Sequence, residues 1–398
     1  MAPAYQPVPT TEQSQEPKYS VEYHIEDQQH IGSKSLNKRR LRGIHVAFLG
    51  LFVFYMSFSI TTALLPKGSL SGARSKCHQG AQRLKCMVQG QHCNMHSGSA
   101  KALPTSFTLP SGDKIPSVAL GVWRAEPGEV GNAVKAALQT GYRHIDGAWI
   151  YRNEAEVGKA LKESGVARKD IWLTSKLWNS FHQPNDVEKA LDESLANLGT
   201  DYLDLYLMHW PVAFKKDSKS NEVDSDLTEN PYPTWQKLEE MVAKGKVRNI
   251  GISNFNIRRI QNLTANPLKI KPAINQVELS YWNPQPELVA WAKNNGILLE
   301  AYSPLGSQDK VKDTLTIPEV KKIASELGIT PAQAHISWQL QRGVVVLPKS
   351  VHPNRIEENF KVAALPTHAF EIMERLATSH KPQRAVDPSK SWGVDIFN

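Results

Sequence analysis

Only three of the 398 residues are cysteine, and all of them, Cys77, Cys86 and Cys93, lie ahead of residue 94. The long remainder of the chain therefore has no thiolate nucleophile, no disulfide and no cysteine-held metal available to it. Eight and six residues separate successive cysteines, which is not the CxxC spacing of zinc modules, so no metal site is expected there. The stretch instead reads as a stalk in which two thiols can pair and one is spare. A GxGxxG fingerprint is also missing, which argues against a doubly wound dinucleotide-binding sheet. Charge excess is absent from the larger part of the chain too. Residues 1–101 carry 12 Lys and Arg against 5 Asp and Glu, leaving 35 against 34 in residues 102–398. The formal charge of +8 thus belongs to the tail, and with no base-reading motif beside it no nucleic-acid partner is expected.

One segment lacks charge altogether. The 24 residues 43–66 contain no Asp, Glu, Lys or Arg, long enough to cross a hydrocarbon core of about 30 Å as a helix. A cleaved signal peptide would have a shorter apolar part nearer the start, whereas 42 mostly polar residues precede this one. The expectation is an uncleaved single-pass anchor. Lys34, Lys38, Arg39, Arg40 and Arg42 before it outnumber Lys67, Arg74 and Lys76 after it, which puts the N-terminus in the cytosol and the rest in a lumen. Without residues 1–101 the remainder would be cytoplasmic. The layout is a disordered basic-ended tail (1–42), a span (43–66), a flexible stalk (67–104) and one large domain (105–398).

From residue 105 onward short apolar runs alternate with amphipathic stretches, the pattern of a parallel sheet with helices outside it. Strand-like runs occur at 117–123, 142–146, 171–176, 203–210, 249–254, 273–278, 297–303 and 344–350. Eight such units predict a (β/α)₈ TIM barrel. In that fold the C-terminal strand ends share one mouth, which would gather Asp146, Tyr151, Lys176 and His209.

Their chemistry is mutually consistent. A phenol titrates near pH 10, and a lysine at about 4 Å supplies roughly 4 kcal/mol at an effective dielectric of 20, or about 3 pKa units. Lys176 is therefore expected to lower the pKa of Tyr151, Asp146 to hold the charge on a buried Lys176, and a neutral His209 to orient a carbonyl oxygen. Each residue alone has a structural explanation, as a helix cap, a surface lysine or a strand-end histidine. Together, at successive strand ends, they favour a carbonyl reducer.

The segments GYRHIDGAWIYRNEAEVG, TSKLW, LMHWP, GISNF, NQVE, AYSPLGS and LPKSVHPNRIEENF resemble the aldo-keto reductase family over about residues 105–398. The resemblance implies that Asp146, Tyr151, Lys176 and His209 are a catalytic tetrad, with Tyr151 as proton donor. It further implies NADPH as cofactor. Ser253, Asn254 and Gln276 would hold the nicotinamide carboxamide and Tyr302 would stack on its ring. Ser303, Leu305, Ser307 and Asp309 would line or strap the pyrophosphate. Lys349, Ser350 and Arg355 would grip the 2′-phosphate, a task suited to their donors, and Glu358 and Asn359 would contact the adenine. Trp123, Trp178, His209 and Trp210 would line a substrate pocket for small polyol or apolar carbonyls.

Two positions depart from the family pattern: Val122 stands where threonine is common, and His352 where a smaller polar residue is common. The ending WGVDIFN is similar to fungal members related to glycerol dehydrogenase, which suggests glyceraldehyde-like substrates. Residues 211–233 and the tail after Pro366 are the expected specificity loops. The protein is expected to be monomeric. A second function class is an NADPH-binding membrane-associated sensor without turnover, which the intact tetrad disfavours.

Overall fold

The protein is described here by a computed structural model that covers residues 102–218 and 220–397, without the side chains of Gln308 and Asp309. The expected tail and span, and nearly all of the stalk with its three cysteines, lie outside the described residues. Among the described residues no helix is long and apolar enough to cross a membrane.

The chain enters through an antiparallel hairpin, β1 (Ser106–Thr108) and β2 (Lys114–Pro116). Eight parallel strands then form one sheet: β3 (Leu120–Gly121), β4 (His144–Asp146), β5 (Trp172–Leu177), β6 (Leu203–Met208), β9 (Val247–Ser253), β10 (Ile274–Glu278), β11 (Leu298–Tyr302) and β12 (Val345–Leu347). A second small hairpin, β7 (Ala213–Phe214) and β8 (Val223–Asp224), is inserted after β6. Hydrogen bonding runs in the order β3-β4-β5-β6-β9-β10-β11-β12. The sheet closes on itself where Val118 pairs with Val346, with Ala119 N–H donating to Val346 O and Val346 N–H to Ser117 O, each at 2.9 Å. This is the eight-stranded α/β barrel that the alternation predicts.

Burial explains the strand composition. All six residues of β5 and all six of β6 are buried, because helices cover the outer face and the barrel interior the other. On β6, Tyr206 and Met208 join the outer core under the helices, whereas Leu205 and Leu207 point inward to meet Leu109, Ile115 and Val345. Leu109 and Ile115 come from the first hairpin, whose Asp113 is bound by Arg248 and by Asn249 Nδ2 at 2.7 Å. The N-terminal end of the barrel is thereby filled. Outside, helices Glu154–Glu163 and Pro184–Leu198 approach so closely at Gly158 that a Cβ there would lie 2.6 Å from the Leu198 backbone. The opposite end of the barrel, where polar residues terminate the strands, is left to hold a site.

Candidate active site

Strand register places the polar groups. Asp146 is the last residue of β4, Lys176 the fifth of β5's six, and His209 directly follows β6. Lys176 Nζ donates to Asp146 Oδ1 at 3.0 Å and Oδ2 at 2.8 Å, to Gly147 O at 2.8 Å, and to Tyr151 Oη at 3.5 Å. Tyr151 reaches the cluster from a single helical turn, Trp149–Tyr151, that follows β4. The His209 ring meets the Tyr151 ring nearly edge-on, with centroids 5.8 Å apart. All four predicted groups are thus brought together.

Burial sets their protonation. Desolvation alone would strip Lys176 of its proton, but the charges of Asp146 and Tyr151 and the hydrogen bonds to Asp146 hold its pKa above the usual 10.5. For Tyr151 burial outweighs the downward pull of Lys176, and its pKa lies above 10 rather than below it. Contrary to the lowering expected from the sequence, the lysine pulls the pKa down as anticipated but desolvation of the phenolate is the larger effect. His209 is pushed well below 6.5 by burial and then by Lys176 and His182, so its imidazole is neutral. A protonated phenol beside a buried ammonium can surrender a proton to an oxygen that is gaining negative charge.

Beneath this cluster Gln276 on β10 donates from Nε2 to Asp146 Oδ1 at 2.8 Å and to Glu300 Oε2 at 2.9 Å. Its Oε1 is left for a ligand amide. Ser253 Oγ donates to Gln276 O at 2.8 Å, and Asn254 Nδ2 donates to Ser253 Oγ at 3.1 Å and to His209 O at 3.0 Å. Tyr302 Oη donates to Asn254 Oδ1 at 2.8 Å. Asn254 and Ser303 hold φ of 66° and 49°, a left-handed backbone that costs of order 1 kcal/mol or more and clusters at functional sites. Ser303, Leu305 and Ser307 lie half-buried along the turn after β11; the Asp309 side chain lies outside the description.

A second end of the site forms at helix Pro353–Phe360. Lys349 and Arg355 are exposed, and neither forms an ion pair with the described residues. Lys349 Nζ donates to Arg124 O at 3.0 Å, and Ser350 Oγ accepts from His352 N–H at 3.1 Å. Two cations without a direct ion pair among the described residues, one of them within the field of Glu126 and Glu129, stand beside a helix N-terminus and fit a phosphate dianion. Asn359 is buried, whereas Glu358 Oε1 accepts from Thr330 Oγ1 at 2.7 Å, which leaves only its other oxygen free. Val122, the departure from the family pattern, uses its N–H on Asp146 O at 3.1 Å and its carbonyl on Asn153 Nδ2 at 2.9 Å. The donors present, amide, hydroxyl and cation in that succession from mouth to rim, fit a dinucleotide carrying a 2′-phosphate.

An aromatic wall flanks the tetrad. Trp123 lies 6.5 Å from Tyr151, and Trp178 and Trp210 lie 5.4 and 6.4 Å from His209, centroid to centroid. The sequence did not identify Phe214 or Trp392 as partners of this wall. Trp392 meets Trp178, Trp210 and Phe214 edge-on at 6.2, 5.2 and 5.1 Å. Two buried charges hold the tail in place: Glu278 accepts from Ala385 N–H at 2.9 Å and Val386 N–H at 2.8 Å, and Arg259 donates to Asp395 O at 2.8 Å. The advance signals were the aromatic ending and the expectation that residues 211–233 and the tail after Pro366 form specificity loops, which contain Phe214 and Trp392 without singling them out.

Comparison with known proteins agrees with this geometry. Residues 117–378 match the model of the aldo/keto reductase family. The chain is 41% identical to a glycerol 2-dehydrogenase (NADP(+)) of Hypocrea jecorina over 73% of this chain and 98% of that protein. It is 44% identical to an aldehyde reductase of Saccharomyces cerevisiae over 72% of this chain and 95% of that one. Among solved structures, the aldose reductase from Schistosoma japonicum superimposes with a TM-score of 0.67 at 40% identity, covering 73% of this chain and 97% of that chain.

Proposed function

The chain belongs to the aldo/keto reductase family, and on that premise we propose that it reduces small polyol-type aldehydes or ketones, of the glyceraldehyde class, at the Tyr151 site. It is an NADPH-dependent oxidoreductase that converts carbonyls to alcohols. The observation that carries the site assignment is Lys176 Nζ, fully buried between Asp146 at 2.8 Å and Tyr151 Oη at 3.5 Å.

Bound NADPH supplies the hydride for the carbonyl carbon. Tyr151 Oη hydrogen-bonds the carbonyl oxygen and releases its proton as negative charge develops there, a contribution of about 10²–10⁴-fold in rate. Lys176 stabilises the phenolate left behind, and Asp146 keeps Lys176 charged throughout. Neutral His209 orients the oxygen without competing for its proton. Gln276 Oε1, Ser253 and Asn254 would hold the carboxamide, Tyr302 would back the ring, and Lys349, Ser350 and Arg355 would hold the 2′-phosphate. Trp123, Trp178, Trp210 and Trp392 exclude water and favour a compact substrate. The glycerol 2-dehydrogenase similarity supports the polyol class.

Residues 43–66 are proposed to tether this reductase to a membrane, with residues 67–104 as the spacer. Alkaline extraction of membranes from expressing cells tests that: the protein stays in the pellet if residues 43–66 are inserted and is released if they are not. The substrate class is tested by comparing kcat/KM on glyceraldehyde, dihydroxyacetone, aldoses and aromatic aldehydes. A preference for long apolar carbonyls over the trioses would overturn it.

A further inference from the structure

The mechanism above gives Glu300 no task, yet its carboxyl lies fully buried inside the barrel. It occupies the middle of β11, paired in register with Gln276 of β10 and Val345 of β12. A carboxyl without solvent is costly unless its oxygens find partners. Glu300 Oε2 accepts from Gln276 Nε2 at 2.9 Å, while Oε1 has no hydrogen-bond partner and faces His144 Nε2 at 3.9 Å. A side-chain amide has two N–H groups, and the second donates to Asp146 Oδ1 at 2.8 Å. One amide nitrogen therefore joins Glu300 to the aspartate that holds Lys176.

The groups around it are fixed in charge near neutrality. On β4, burial pushes His144 down to about 4, with its Nδ1 3.3 Å from Pro116 O and its Nε2 3.2 Å from Thr174 Oγ1 of β5. Also on β5, Lys176 keeps its proton above 10.5, and Tyr151 beyond it keeps its own above 10. Burial, then the charge of Asp146, pushes Glu300 up to about 8. The carboxyl changes charge in a range where His144, Lys176 and Tyr151 do not.

We propose that Glu300 is a positioning residue that sets the net charge of the buried Asp146–Lys176–Glu300 cluster bridged by Gln276, and that its ionisation couples a proton to the oxidation state of the bound nicotinamide. This rests on the cofactor site assigned under Proposed function. With Glu300 protonated, Asp146, Lys176 and Glu300 together carry no net charge; with it ionised they carry one negative charge. The oxidised nicotinamide ring is positive and the reduced ring is not, so the ionised state favours the oxidised cofactor. By linkage, binding the oxidised cofactor drives the Glu300 proton to solvent.

The test uses the full chain and Glu300→Gln, with Kd for NADP⁺ and NADPH measured by quenching of tryptophan fluorescence from about pH 6.5 to about pH 9.5. Taking the ratio of the two constants cancels titration of the phosphates, which both cofactors share. The expected result is a shift of the ratio toward NADP⁺ by at least about fivefold, centred near pH 8, in the wild type, and a flat ratio in Glu300→Gln. A flat ratio in the wild type overturns the proposal, as does an equal shift in the variant. Glu300→Thr, neutral and smaller, serves if the glutamine variant fails to fold, and the wild-type titration decides by itself if neither folds. Absence of quenching by both cofactors would sink the cofactor site along with the proposal.

Discussion

Lys176 Nζ stands 2.8 Å from Asp146 Oδ2 with both side chains out of solvent, the aspartate contributed by β4 and the lysine by its neighbour β5. Removing the aspartate's charge leaves a buried ammonium unpaired, a change that costs about 3–5 kcal/mol in stability unless the lysine sheds its proton. For Asp146→Asn, kcat is expected to fall by about 10²–10⁴-fold as the lysine ceases to support Tyr151. Steady-state kinetics with a parallel melting curve checks this. An unchanged kcat would remove Asp146 from the mechanism.

Lys349 and Arg355 are the residues proposed to hold the 2′-phosphate, away from the reacting carbon. Hydrogen bonds to charged groups contribute about 1.5–3 kcal/mol each, so Lys349→Ala with Arg355→Ala is expected to weaken NADPH by roughly 10²–10⁴-fold and leave NADH nearly unchanged. Calorimetric titration of each cofactor reads the difference directly. Equal losses for both cofactors would place the 2′-phosphate elsewhere.

Buried imidazoles make the fold acid-sensitive, three of them outside the tetrad. Burial holds His144, His182 and His335 each near 4, against 6.5 when exposed. The unfolded chain binds these protons first as pH falls, so the stability that neutral burial preserves is intact above about 6.5 and is lost progressively toward 4. Each one-unit shift is worth about 1.4 kcal/mol. The melting temperature is expected to decline through that window, and His335→Gln, far from the tetrad, to decline less steeply.

Glu278 pins the start of the C-terminal tail through the Ala385 and Val386 N–H groups. Glu278→Ala is expected to raise KM for the preferred carbonyl several-fold as Trp392 leaves Trp178 and Trp210, at a stability cost of about 1–3 kcal/mol. NADPH affinity should hold. Kinetics on small and bulky aldehydes, paired with cofactor titration, separates tail loosening from general damage.

Much of this arrangement was legible in the residues, because a buried parallel strand is a mostly apolar run and a polar or charged residue stands at its C-terminal end. Asp146, Lys176 and His209 are such marks. The run at 344–350 yielded a regular strand of only Val345–Leu347, since Pro348 has no N–H to continue the ladder. The pKa of Tyr151 could not be read, because sequence shows the lysine's charge but not how completely the phenol is desolvated. Glu300 was visible as a charge inside ILLEAYS, yet nothing local says that Gln276 joins it to Asp146. The tail contacts were hidden for a similar reason: Glu278 binds backbone N–H groups more than a hundred residues away, and those carry no side-chain signature.

The most direct test of the proton-donor assignment is the consumption of NADPH by the purified full chain against a panel of aldehydes, ketones and sugars, run beside Tyr151→Phe. The account predicts turnover on at least one small carbonyl and its loss in the variant, by about 10²-fold or more, with NADPH still bound by both proteins. Turnover that survives in Tyr151→Phe would contradict the assigned proton donor, and cofactor binding without turnover on any carbonyl would make the protein an NADPH sensor instead of a reductase.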